Sequence, residues 1–141
     1  YAQAHQESIF AVSGKCISGL IPKELSSLQT LKNVILLGYV SDGQVKALMQ
    51  NCKAFIFPSY YEGFGIPPLE ALSCGAKIII SKAASLPELY GDSAHYIMPD
   101  DTNVDLEKLL LQPVSDSKPV LEKFLYDKSA EKLYDILKMR F

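Results

Sequence analysis

A chain of 141 residues with 48% hydrophobic and 21% charged content is the size of one globular domain and long enough to bury a core. Its 14 Lys and Arg against 16 Asp and Glu leave a formal charge of −2, which excludes the strong positive field that holds a nucleic-acid backbone. Apolar runs such as 78–80 fall far short of the roughly 20 residues needed to span a bilayer. Three widely spaced cysteines, Cys16, Cys52 and Cys74, form no CxxC pair and read as small packing residues in a reduced, cytoplasmic compartment. The chain opens on Tyr1 without a basic-then-apolar leader, so the expectation is a fragment lacking a signal peptide.

Short β-rich runs alternate with helical ones. Strands are predicted at 9–12, 34–37, 54–57, 77–80 and 95–98, most of them continuously apolar, as strands covered on both faces are. The expected fold class is therefore α/β: a Rossmann-like parallel sheet flanked by helices, with no second domain. Between the second and third strands, Val45, Leu48, Met49 and Cys52 follow helical spacing, and Ser41 and Gln44 have the spacing of a capping box, which predicts a helix over 42–52. After the third strand Pro67 and Pro68 suit a first helical turn, and Gly75 supplies the stop. Shorter helices are predicted at 86–90 and about 104–111, then a linker over 112–119. In the tail, Asp127 reads as an N-cap, with Ala130, Leu133, Tyr134 and Leu137 as an apolar stripe that packs back on the sheet.

The segment 59–70 joins the third strand's carboxyl end to a helix amino terminus, the edge where open α/β sheets bind ligands. Gly63 and Gly65 clear side chains from the turn so that backbone N–H groups can approach a ligand, and the helix end adds donors and positive dipole character. Glu62 and Glu70 lie on either side of the glycines, and a carboxylate is a two-oxygen acceptor suited to vicinal hydroxyls. An anionic or sugar-like ligand is implied.

The stretch PSYYEGFGIPPLEALSCGAKIIIS at 58–81 resembles the Glu-x7-Glu signature of retaining, nucleotide-sugar-dependent glycosyltransferases of family 4, which have the two-domain GT-B fold. The flanking NVILLGYVSD at 33–42, SLPELYGDSAHYIMPDD at 85–101 and KSAEKLYDIL at 128–137 stand in the order of that family's carboxyl-terminal, donor-binding domain. The resemblance implies that Glu70 binds the ribose hydroxyls and Glu62 lies beside the transferred sugar as the catalytic carboxylate. It implies further that Gly63, Phe64, Gly65 and Ile66 present N–H groups to the sugar and diphosphate, with Leu69 near the ribose and the main chain at Val40 beside the base. The implied substrate is a UDP-, GDP- or ADP-sugar, with a glycan or lipid acceptor and neither cofactor nor metal. The family's diphosphate-binding Arg and Lys, its first strand in this domain and the acceptor domain would all lie upstream of Tyr1. In the strand order 3-2-1-4-5 the upstream strand would be the central one, so the chain alone is expected to transfer no sugar. Another class of reading is a non-catalytic nucleotide-sugar-binding or scaffold module, and a sugar-nucleotide epimerase is a third.

Other features invite plainer readings. His5 and His95 lack a second ligand at metal spacing, so no zinc site is expected and His95 reads as a strand residue satisfied locally. The run 91–95 lacks the final glycine of a nucleophile elbow and reads as a turn. Lys128, Lys132, Lys138 and Arg140 read as the wet face of the last helix, and they leave room for peripheral membrane contact.

Overall fold

The structure is a computed structural model and describes residues 1–14 and 28–139. Cys16 and Arg140 lie outside the described residues. The chain divides into two compact units, Tyr1–Leu48 with Thr102–Val104, and Met49–Asp101 with Asp105–Phe141.

In the first unit β1 (Phe10–Ser13) runs parallel to β2 (Val34–Gly38), in the register Phe10↔Val34, Ala11↔Ile35 and Val12↔Leu36. The register then slips so that Ser13 pairs with Gly38. Residues ahead of β1 are pinned by the buried Asn33, whose Nδ2 donates to the carbonyls of Ala2 (2.9 Å), His5 (3.0 Å) and Ser8 (2.9 Å). Tyr1 stacks on His5 with ring centroids 3.8 Å apart and meets Phe10 edge-on. Helix α1 (Asp42–Asn51) follows β2, and Gln44 Oε1 accepts from both the amide and the hydroxyl of Ser41, which is the Gln44-to-Ser41 half of the predicted capping box.

The second unit holds β3 (Phe55–Phe57), β4 (Ile78–Ser81) and β5 (His95–Ile97), parallel and in the order β3-β4-β5. Strand β4 has a neighbour on each side and is wholly buried, with Ile78, Ile79 and Ile80 at most 1% exposed. Between β3 and β4 lies α2 (Ile66–Ser73), which ends at Gly75 (φ +83°) with the amide of Gly75 on Leu72 O and that of Ala76 on Ala71 O. These are the paired bonds of a glycine-terminated helix, as the sequence suggested. Helix α3 (Leu86–Tyr90) and a 3-10 turn over Gly91–Ser93 connect β4 to β5. Helix α4 (Leu106–Leu110) is capped by the Asp105 carboxylate, which accepts from the Lys108 amide at 2.9 Å. Then come α5 (Lys118–Lys123) and α6 (Tyr126–Lys138).

The fold class is α/β, with parallel Rossmann-like sheets flanked by helices. All five expected strands fall within a residue or so of their places, and among the described residues they form a two-stranded and a three-stranded sheet. Several local expectations need correction. Asp127 lies inside the first turn of α6, where its charge meets the helix dipole, and Leu125 takes the N-cap position without a side-chain bond. Pro119 opens α5 and does not belong to a linker, because its missing N–H costs nothing in a first turn. The apolar stripe of α6 does not pack back on the sheet: none of its described residues is buried, and Leu133 and Leu137 are 58% and 49% exposed. Periodicity gives a helix an apolar face without supplying the surface that covers it. Cys52 is exposed, although partial burial still raises its thiol pKa above the ordinary value, opposed by its backbone hydrogen bond. His95 is buried, yet its Nε2 has no partner among the described residues, so the ring is not satisfied at that nitrogen. Burial first, and Lys77 second, hold its pKa below the usual value.

Candidate functional site

Strand β3 ends at Phe57, and the chain turns through residues 58–65 before entering α2. Since the three strands are parallel, this loop lies at the carboxyl edge of their sheet, the ligand edge of an open α/β sheet. Gly65 is the N-cap of α2 and adopts the left-handed conformation, φ +74° and ψ 58°. A Cβ there would also come 2.6 Å from Leu86 Cδ2, in a side chain that is itself fully buried, so conformation and space both demand glycine. Gly63 has no such neighbour and is exposed. Because Pro67 and Pro68 carry no N–H, the open donors at this helix start narrow to the amides of Gly65 and Ile66.

Glu62 is half-buried, and Ser59 Oγ donates to its Oε1 at 2.9 Å, which fixes the carboxylate against its own loop. The Glu62 carbonyl accepts from Ser85 Oγ at 2.9 Å. The Phe64 ring meets Phe124 edge-on, with centroids 4.9 Å apart, which anchors this part of the loop to the end of α5. Gly65 O accepts from Tyr90 Oη at 2.5 Å. Tyr90 is 1% exposed, and burial pushes its pKa up to about 12, with the Leu69 amide working in the opposite direction. Glu70 sits in α2 with its side chain exposed, and Leu69 beside it is half-buried. Tyr60 Oη donates to Asp100 Oδ1 at 2.8 Å, which ties the loop to the turn after β5 and raises the tyrosine pKa.

Thus Glu62, Gly63, Phe64, Gly65, Ile66, Leu69 and Glu70 share one loop-helix junction of the second unit, whereas Val40 follows β2 in the first unit. Ser59, Ser85, Tyr90 and the Tyr60–Asp100 tie were not singled out from sequence. Ser85 and Tyr90 bond to residues 23 and 25 positions earlier, and no local spacing rule reports such pairs. A separate cavity of about 560 Å³, lined by Asp92, His95, Tyr96, Gln112 and Ser115 among others, opens at the amino end of β5, the edge opposite the glycine loop. Among the described residues no cluster of three or more His, Cys, Asp or Glu converges as metal ligands would.

A parallel sheet with a glycine turn and a helix start at its carboxyl edge defines a Rossmann-like α/β protein. Within that class residues 16–127 match the family model described as Glycosyl transferases group 1, and the chain belongs to this family. It is 41% identical over 80 residues to O-antigen chain mannosyltransferase B of Escherichia coli, covering 57% of this chain and 21% of the relative. It is 40% identical over 96 residues to the serotype-specific mannosyltransferase WbdA of Escherichia coli, covering 68% of this chain and 10% of that protein. The O-antigen chain mannosyltransferase RfbU of Salmonella typhimurium is 36% identical over 74 residues, 52% of this chain and 21% of the relative. The chain thus spans about a fifth or less of the length of these relatives. No helix among the described residues is long and apolar enough to cross a membrane.

Proposed function

We propose that the chain is the donor-binding part of a retaining glycosyltransferase of family 4, transferring a sugar from a UDP-, GDP- or ADP-sugar to a glycan or glycolipid. The observation that carries this reading is the left-handed Gly65 at the start of α2, flanked by the oriented Glu62 and the exposed Glu70. The names of the relatives favour mannose as the sugar and an O-antigen chain as the product. In this reading Glu70 accepts hydrogen bonds from the ribose hydroxyls, and the open amides of the glycine turn meet the diphosphate. Backbone donors held in place before reaction stabilise a departing anion without reorganising, which is the main electrostatic task when the sugar leaves. Glu62, held by Ser59, stands beside the sugar as the carboxylate nearest the reacting carbon. In this reading no metal is required.

We read residues 1–141 as incomplete for transfer. The chain spans about a fifth or less of the length of the mannosyltransferases it resembles, which supports that reading. The free thiols Cys52 and Cys74 suit a reduced, cytoplasmic setting.

Titration calorimetry with UDP, GDP and ADP, free and as sugar conjugates, tests the reading. One base should bind saturably, and Glu70→Ala should weaken it by about 10-fold or more, as expected for hydrogen bonds to a charged group. Binding by a folded protein that is indifferent to Glu70→Ala would refute the assignment. No binding at all would favour a non-catalytic scaffold module.

A further inference from the structure

The donors of the glycine turn can serve a ligand only if they are aimed outward, and two hydroxyls of the β4–β5 crossover bond to carbonyls of the same turn. In a planar trans peptide the C=O and the following N–H point in opposite directions. Tyr90 Oη holds the Gly65 carbonyl at 2.5 Å, so the Ile66 amide of the same peptide plane points away from α3. Ser85 Oγ holds the Glu62 carbonyl at 2.9 Å, so the Gly63 amide is turned away in the same manner. On the same element Leu86 is fully buried, with its Cδ2 2.6 Å from the position a Gly65 Cβ would take. Immediately before Ser85 the chain bends through Ala84 at φ +48°, a conformation that alanine adopts at a cost of about 1 kcal/mol or more and that persists only where the surroundings enforce it. Ser85, Leu86 and Tyr90 thus act on the glycine loop from one element.

We infer that Tyr90 and Ser85 are positioning residues which, by anchoring two carbonyls of the loop, present the Gly63 and Ile66 amides to the diphosphate of a nucleotide ligand. The inference rests on the donor-site reading above and adds the device that orients the donors. Neither residue touches the ligand. Their contribution therefore belongs to the phosphates and not to the base or ribose.

The test compares nucleoside diphosphate with nucleoside monophosphate affinity by calorimetry in the protein and in Tyr90→Phe, Ser85→Ala and Tyr96→Phe. Tyr96 is the control, a partly buried tyrosine whose hydroxyl donates to Gly91 O at 2.7 Å, away from the loop. Tyr90→Phe and Ser85→Ala should each cut diphosphate affinity about 3- to 10-fold while monophosphate affinity holds, and Tyr96→Phe should leave both unchanged. A merely structural tyrosine would lower the melting temperature and leave the diphosphate-to-monophosphate ratio intact, and that result overturns the inference. Should Tyr90→Phe fail to fold, Ser85→Ala alone decides, because its side chain is only half-buried. If the unsubstituted protein binds no nucleotide, the donor-site reading falls and takes this inference with it. If it binds and the ratios do not move, only the inference falls.

Discussion

The two sheets are built from nearly the same material and end in opposite states. Ile78, Ile79 and Ile80 of β4 are at most 1% exposed, whereas Val12 of β1 and Ile35 and Leu36 of β2 are 37%, 47% and 37% exposed. All these strands are continuously apolar and parallel. The difference is one of neighbours: β4 has a strand on both sides and α2 against it, while β1 and β2 have only each other as strand neighbours among the described residues. Burial of a strand is therefore a property of its place in the sheet as much as of its composition. The more buried sheet is also the one that carries the glycine loop.

The comparison can be broken most directly with paired truncations. Ile79→Ala should cost about 3–4 kcal/mol, since it empties a site with no exposed surface. Ile35→Ala should cost less than about 1 kcal/mol, because its side chain is half in water already. Urea unfolding followed by tryptophan-independent circular dichroism measures both, and equal losses would mean that the first sheet is covered as well as the second.

A smaller effect sharpens the picture of the first unit, where one amide does the work that apolar burial does in the second. Asn33→Ala should remove about 2 kcal/mol of local stability, because three carbonyls lose their shared donor. Amide hydrogen exchange should then accelerate across residues 1–14 and 33–38 and stay unchanged in β3, β4 and β5. Faster exchange everywhere would show that the two regions open as one.

The smallest effect concerns pH and belongs to the second sheet alone. Burial, with Lys77 nearby, lowers the pKa of His95 below its ordinary value of 6.5, so the native state binds fewer protons than the unfolded chain just below that value. The stabilisation linked to the neutral ring is complete above about pH 6.5 and is lost as pH falls through the lowered pKa. Unfolding midpoints measured from about pH 7.5 down to 5 should decline less steeply in His95→Gln than in the unsubstituted protein. An identical slope would place the acid sensitivity elsewhere.

Much of the local architecture was readable from residue order. Five apolar runs, the Ser41–Gln44 pair before α1, the prolines and Gly75 bounding α2, and the glycine loop between two glutamates all follow from rules that act within a few residues. The same rules misjudged Asp127, Pro119 and the stripe of α6, where the outcome depended on which surface was present to cover a face or accept a cap. They also misjudged His95, read as satisfied locally, whose buried Nε2 has no partner among the described residues.

The sequence by itself determined the α/β alternation and the composition of the glycine turn, because hydrophobic period and turn chemistry are local. Only the tertiary structure decided that the strands divide into a two-stranded and a three-stranded sheet, that Gly65 is required by Leu86 as well as by its own φ, and that Ser85 and Tyr90 hold the loop's carbonyls. Those outcomes join residues more than twenty positions apart, and a pairing of that kind is selected by the packing of the chain around it.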